Sequence, residues 1–302
     1  MRVGTTALNF SSLIPADLTP VEAISRAQNF NIVDQVREVA EQGFALIELS
    51  TDLTLLLPEA YSPAVAADLL ALKDELGLTY TVHLPLWSLE LSAPLTPVRD
   101  GSAQVVTDCI RTMEPLAPEM YVLHGTGPFA SEFSHIQMPE MIHQLVLGQI
   151  TGYSRRAIEQ ILEQTGIESH RVAIETIGFP YHLTFGLAQK LDLSMCLDTG
   201  HVLIGFSGQV DLFEVLDQCL PRLGEIHLHD APWFGNEGRI GYDRDHVALG
   251  RGDLDVGRLV DTLEAANWDG PVILEMKLFS HVLESVDLLR TLRPEAMPVA
   301  AA

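Results

Sequence analysis

Cysteine is scarce. Cys109, Cys196 and Cys219 are odd in number and scattered, which excludes a disulfide framework and a thiolate-type metal site. Such isolated thiols suit a reducing compartment, and a cytoplasmic location is the expectation. Basic residues are also few: 18 Lys and Arg stand against 41 Asp and Glu, a formal charge of −23. A nucleic-acid binder must neutralise several phosphates with Lys and Arg. No Lys/Arg cluster supplies that here, so a nucleic-acid partner is disfavoured and the acidity reads as a solubilising surface. No run approaches the roughly 18 uncharged apolar residues of a membrane helix. The opening Met1-Arg2-Val3-Gly4-Thr5-Thr6 leads into a strand pattern without the apolar block of a signal peptide. No glycine-rich phosphate loop follows that first strand, which weakens an open doubly wound sheet. No Pro/Gly-rich linker divides the chain. One domain is therefore expected over residues 1–295, followed by a frayed tail at 296–302.

What the chain does have is a rhythm. Short apolar runs end in a polar residue and alternate with stretches of helical period. The runs are Arg2–Thr6, Phe44–Leu49, Leu78–His83, Met120–His124, Arg171–Glu175, Leu193–Asp198, Gly224–Asp230 and Pro271–Glu275. Helical patterns fall at Ile32–Gln42, Ser62–Leu76, Ser102–Leu116, Met141–Gln164, Leu212–Leu220, Val256–Ala266 and Val282–Leu292. Strands that are apolar throughout belong to a parallel sheet covered by helices. About eight such units predict an α/β fold, a single (β/α)8 barrel whose chemistry sits at the carboxyl ends of the strands.

Those ends carry Glu48, His83, His124, Glu175, Asp198 with His201, His227 with His229 and Asp230, and Glu275, while His246 lies in the loop after the seventh strand. Carboxylates and imidazoles together are a ligand set for Mn, Co, Zn or Fe. A lone His at a strand end is ordinarily a hydrogen-bonded structural residue, but here several carboxylates and several His gather at one rim. His135, His143, His170, His182 and His281 scatter elsewhere and are assigned no role. In Asp198-Thr199-Gly200-His201 the glycine permits a tight turn that brings His201 back over the rim. His227 and His229, two apart on a strand, share a face. Only one of them need be a ligand. Asp230 points the other way and caps a following turn.

Seven segments carry a family resemblance: Thr81-Val82-His83-Leu84-Pro85, Val122-Leu123-His124-Gly125, Ala173-Ile174-Glu175, Leu197-Asp198-Thr199-Gly200-His201, Ile226-His227-Leu228-His229-Asp230, the stretch His246–Asp255, and Leu274-Glu275. As an ordered set spanning nearly the whole chain, they resemble the xylose-isomerase-like barrels. That superfamily includes sugar isomerases and epimerases, and the type-IV apurinic endonucleases. The resemblance implies that Glu175, Asp198, His227 and Glu275 bind a divalent metal and that His201 and His246 contact substrate. In the endonuclease branch His83, His124, His201 and His246 would hold further zinc ions. That branch places an Asp two residues before the last His, where this chain has Arg244 between Asp243 and Asp245. Cobamide-remodelling phosphodiesterases share Gly4-Thr5-Thr6, Ile14-Pro15-Ala16-Asp17 and the stretch Tyr80–Leu86. The long Asp230–His246 loop and Gly250-Arg251-Gly252 follow the isomerase pattern instead.

The leading expectation is a metal-dependent isomerase or epimerase acting on a small sugar or sugar phosphate, with Mn, Co, Mg or Zn as cofactor. Metal chelation of adjacent carbonyl and hydroxyl oxygens would acidify the C–H between them. Glu175 and Glu275 would remove and return the proton, with His201 assisting. His83, His124, His246 and Trp233 would contact substrate, and Arg251 would meet a phosphate. The alternative is a multi-zinc phosphodiester hydrolase with His83 and His124 as ligands, acting on a small substrate such as a cobamide in preference to abasic DNA. A non-catalytic binding barrel is the third class, and the full ligand set argues against it. The expected partner is a small molecule; no membrane is involved, and a homo-oligomer is admitted. The segment Ala231–Gly250, with Trp233, Phe234, Gly235, Gly238 and Gly241, is read either as a lid or as an ordered loop packed on neighbouring helices.

Overall fold

The computed structural model describes residues 1–8, 19, 21, 22, 25, 29–234 and 240–294. Its strands are β1 (Arg2–Thr6), β2 (Leu46–Ser50), β3 (Thr79–His83), β4 (Tyr121–Leu123), β5 (Val172–Glu175), β6 (Ser194–Asp198), β7 (Leu223–Leu228) and β8 (Pro271–Leu274). Neighbours in sequence pair in parallel, and β1 also pairs with β8, closing the expected (β/α)8 barrel. Every residue of β5, β6 and β7 is buried. That is the signature of strands covered by helices outside and filled by side chains inside.

The described helices are α1 (Ile32–Glu41), α2 (Pro63–Leu76), α3 (Thr96–Met113), α4 (Pro128–His135), α5 (Glu140–Thr165), α6 (Tyr181–Leu191), α7 (Thr199–Leu203), α8 (Leu212–Cys219), α9 (Val256–Ala265) and α10 (Phe279–Leu292). In α1 the buried Ile32, Gln35, Val36 and Val39 recur at helical spacing and form one stripe, and the Asn31 side chain caps the first turn by accepting from the Val33 N–H. Asp211 and Asp255 cap α8 and α9 in the same way.

Several helices differ from the sequence reading: α4, α6 and α7 have no counterpart in it, and α3 and α10 begin earlier than expected. α3 starts at Thr96, ahead of the expected Ser102. Pro97 fits the first turn, where its missing N–H costs nothing, and the Arg99 guanidinium ties that turn to the Ala93 carbonyl. α6 was not expected, because Thr184 and Gly186 weaken its helical signal. Burial of Tyr181, Thr184, Leu187 and Ala188 against the barrel overrides that propensity. The Ile14–Asp17 segment, Gly235, Gly238 and the 296–302 tail lie outside the described residues.

Candidate metal centre at the barrel mouth

The register that closes the barrel also assembles the site. Asp198 lies beside His227 across β6 and β7, and Glu175 lies one strand further at the end of β5. Period-2 alternation aims each side chain into the barrel. Glu275, just past β8, reaches in from the far side: its Oε2 is 3.1 Å from His227 Nδ1. Glu175 Oε1 is 3.7 Å and Asp198 Oδ2 4.0 Å from the same nitrogen. Three carboxylates therefore reach one point, the His227 Nδ1, and Glu175, Asp198 and His227 form the tighter group among them.

His227 shows what that point is for. It is fully buried, and its Nε2 meets the Glu48 Oε2 at 3.2 Å. Its Nδ1 has no hydrogen-bond partner of good geometry, although Glu275 Oε2 stands 3.1 Å away. Three carboxylates packed around a buried imidazole nitrogen that has no hydrogen-bond partner are costly unless a cation or a proton sits between them. The donor set, three carboxylates and one imidazole, fits a divalent ion of the Mn, Co, Mg or Zn type.

Two histidine flanks adjoin this centre. On the first, His83 Nε2 and His124 Nε2 approach Glu175 Oε2 at 3.3 and 2.9 Å. His83 Nδ1 donates to the Leu84 carbonyl at 2.9 Å, so its Nε2 turns toward the carboxylate. On the second, His201 Nδ1 lies 3.2 Å from Glu175 Oε1 and 3.3 Å from Asp198 Oδ2. Glu175 thus presents one oxygen to each flank.

Asp198 caps the short α7 by accepting from the His201 N–H at 2.6 Å. Gly200 serves close approach more than a turn: a Cβ there would collide with the His229 ring. His229 is satisfied at both nitrogens. Its Nδ1 accepts from the His246 N–H at 2.9 Å, and its Nε2 donates to Asp198 at 3.0 Å. The His246 ring stacks on it, with centroids 4.0 Å apart, and the His246 backbone is held at φ +58°. That left-handed conformation is strained for a non-glycine residue.

Charge follows geometry. Burial alone would raise the Glu175 carboxyl, but the charges of His124 and His227 outweigh it and hold it well below the ordinary range. Glu275 is held well below for the same reason, by His227 and His246. Burial pushes His83 down, yet the hydrogen bond and charge of Glu175, with the charge of Glu48, lift it to about 9. His246, despite its burial, is lifted to about 10 by Asp245 and Glu275. His229 moves the other way. Burial lowers it, and it stays neutral beside Asp198. Without a metal, protons on the histidines balance the carboxylates.

The structure places the expected residues unevenly. Glu175, Asp198, His227, Glu275, His83, His124, His201 and His246 come together. Arg251 does not join them. Its guanidinium points to α10, paired with Glu284 at 2.6 Å and meeting His281 Nε2 at 3.1 Å. Trp233 is half-exposed on the loop, with its backbone N–H held by Asp253. Phe234 and Gly241 donate backbone hydrogen bonds to Leu203 and Ile204, so the described part of this loop is ordered against α7. Asp230 gathers the loop ends: its buried carboxylate accepts from the N–H groups of Ala231, Gly250, Gly252 and Leu254.

Three residues at the site were not assigned roles from the sequence. Asp245 Oδ2 stands 3.3 Å from His246 Nδ1 and 3.8 Å from His201 Nε2, and its Oδ1 is 3.5 Å from Lys277 Nζ. It faces the histidines that Arg244 does not reach. His229 locks Asp198 to the loop. Glu225, two before His227, lies deeper on the same face, and only the period-2 rule could have flagged it.

The xylose isomerase-like TIM barrel family matches residues 36–292. An uncharacterised protein of Methanocaldococcus jannaschii is 20% identical over 270 residues, covering 86% of this chain and 84% of that protein. Among solved structures, a D-tagatose 3-epimerase-like protein superposes with a TM-score of 0.71 at 18% identity, covering 98% of each chain. The apo form of a 3-keto-D-glucoside 4-epimerase from E. coli gives a TM-score of 0.63 at 17% identity, covering 97% of this chain and 99% of that one. At these identities the superpositions speak to fold. Among the described residues, no helix is long and apolar enough to cross a membrane.

Proposed function

This chain belongs to the xylose isomerase-like TIM barrel family, and from that premise we propose that it is a divalent-metal-dependent isomerase or epimerase of a small sugar or sugar phosphate. The carrying observation is that Glu175 and Glu275 reach the His227 Nδ1 from separate strands, at 3.7 and 3.1 Å. Two carboxylates placed around one centre suit a reaction in which one takes a proton from carbon and the other delivers one. A metal held by Glu175, Asp198, His227 and Glu275 would supply Lewis acidity beside the reacting carbon. His201 and His246 line the same mouth and orient hydroxyl groups. The solved epimerases that share the fold support this reading.

Incubation of the Mn2+- or Co2+-supplemented protein with ketoses and ketose phosphates in D2O tests it. Deuterium should appear at the epimerised carbon. A broad panel with no exchange and no epimer would overturn the proposal.

A second reading, phosphodiester hydrolysis of a small substrate, is favoured by one observation: His83 and His124 both address Glu175 Oε2, a three-ligand group beside the first. Several ions per chain and turnover of an activated phosphodiester would favour it.

A further inference from the structure

Below the mouth the barrel interior is not apolar. Glu48 from β2 and Glu225 from β7 are essentially fully buried beneath His227, with Thr81 beside them. Two carboxyls in a barrel core are expensive unless what they touch stabilises them.

We propose that Glu48 is a positioning residue for the metal centre: from inside the barrel it fixes the proton of His227 on Nε2 and keeps Nδ1 bare toward Glu175, Asp198 and Glu275. The ring has one aligned acceptor, Glu48 Oε2 at 3.2 Å from Nε2, and none at Nδ1. Putting the ligand proton on Nδ1 would set the Nε2 lone pair against a carboxylate oxygen in a dry core, which costs the full penalty of two unpaired groups. A carboxylate behind a ligating imidazole also raises its basicity and holds its plane. Glu225 does not share the task. Its Oε1 is 3.9 Å from Nε2 and accepts from the Thr81 hydroxyl at 3.1 Å, while its Oε2 has no partner. Glu48 is 1% exposed and meets the ring at Nε2, not at the Nδ1 that faces the three carboxylates, so it reaches that position through His227. The His83 ring stacks on that of His227 with centroids 5.7 Å apart, which further fixes the plane Glu48 must meet.

This inference rests on the metal-dependent reading. Its test is Co2+ affinity of the full chain by chelator competition, in wild type, Glu48→Gln and Glu48→Leu. The loss should be about ten- to a hundredfold for the Leu variant and smaller for Gln, which keeps an acceptor. The metal-free unfolding midpoints should not follow that order. Independently of any variant, long-range 1H–15N spectra of the Zn2+-loaded wild type should show His227 protonated at Nε2 and ligating through Nδ1. A proton on Nδ1, or unchanged Co2+ affinity in both folded variants, overturns the role of Glu48 and leaves the metal reading standing. A wild type that binds neither ion overturns the metal reading itself, and this inference with it.

Discussion

The two histidine flanks of Glu175 are built by different means. His83 and His124 stand at the ends of β3 and β4, placed by the sheet itself, with their Nε2 atoms turned toward a carboxylate. The other flank, His201, His229 and His246 with Asp245, depends on a capped short helix, a glycine pressed against an imidazole, and a loop backbone with φ above zero at Asp243 and His246. The first is preorganised by backbone pairing. The second is held by side-chain hydrogen bonds, so it can be loosened without disturbing the barrel.

The largest effect should come from the residue both flanks share. Glu175→Gln removes a charge from each side at once, and turnover should fall by about 10² to 10⁴ if it moves a proton. Bound metal, read by elemental analysis, should fall in the same variant. A Gln variant that keeps full activity and metal would detach both flanks from the chemistry.

Next is the clasp of the second flank. Asp230→Asn leaves one oxygen where two served four backbone donors, and its amide N–H groups would face them. The cost should be about 3 kcal/mol or more, read from denaturant unfolding. Limited proteolysis should then cut within 231–254 first. If the clasp matters only locally, first-flank metal uptake survives. Loss of the whole site at once would show the flanks to be one unit.

The pH response separates them further. Folded His83 lies near 9 and His246 near 10, both above the unfolded value of about 6.5. A raised histidine stabilises fully below its unfolded pKa, and that contribution disappears as pH rises through the folded one. The metal-free protein should therefore lose stability across roughly pH 7 to 10. Metal binding at pH 7.5 should release protons, measured by calorimetry in buffers of different ionisation heat. Binding without proton release would contradict the charge balance described above.

The smallest effect is expected for His83→Ala and His124→Ala. With one ion held by Glu175, Asp198, His227 and Glu275, metal content should stay near wild type while substrate affinity weakens. Loss of an ion in either variant would favour the phosphodiesterase reading.

Much of this was legible in the sequence because barrel strands write themselves as apolar runs with a charged end. The runs Arg171–Glu175 and Leu193–Asp198 located two strands of the barrel and the carboxylates that end at its mouth. What escaped was set by packing in three dimensions. Glu225 sits inside an apolar run, and no local pattern announces that two carboxyls can share a barrel core with a histidine. His229 and His227 look alike in sequence, and they separate only when the His246 N–H is seen to occupy one nitrogen of His229. No local pattern shows that Arg251 pairs with Glu284, which lies 33 residues away on α10.

The Asp230 clasp has a consequence for how such a protein can change over generations. It ties Ala231 to Gly250, Gly252 and Leu254 beneath the loop, so the two ends of the segment are pinned whatever lies between them. Residues added or lost between those ends would transmit little shift into β7 or β8, because lengthening a loop whose ends are fixed carries only a small entropic cost. Variation in the loop is thereby uncoupled from the strands that carry Glu175 and Asp198. A lineage could rebuild this segment while the carboxylates of the barrel mouth remain untouched.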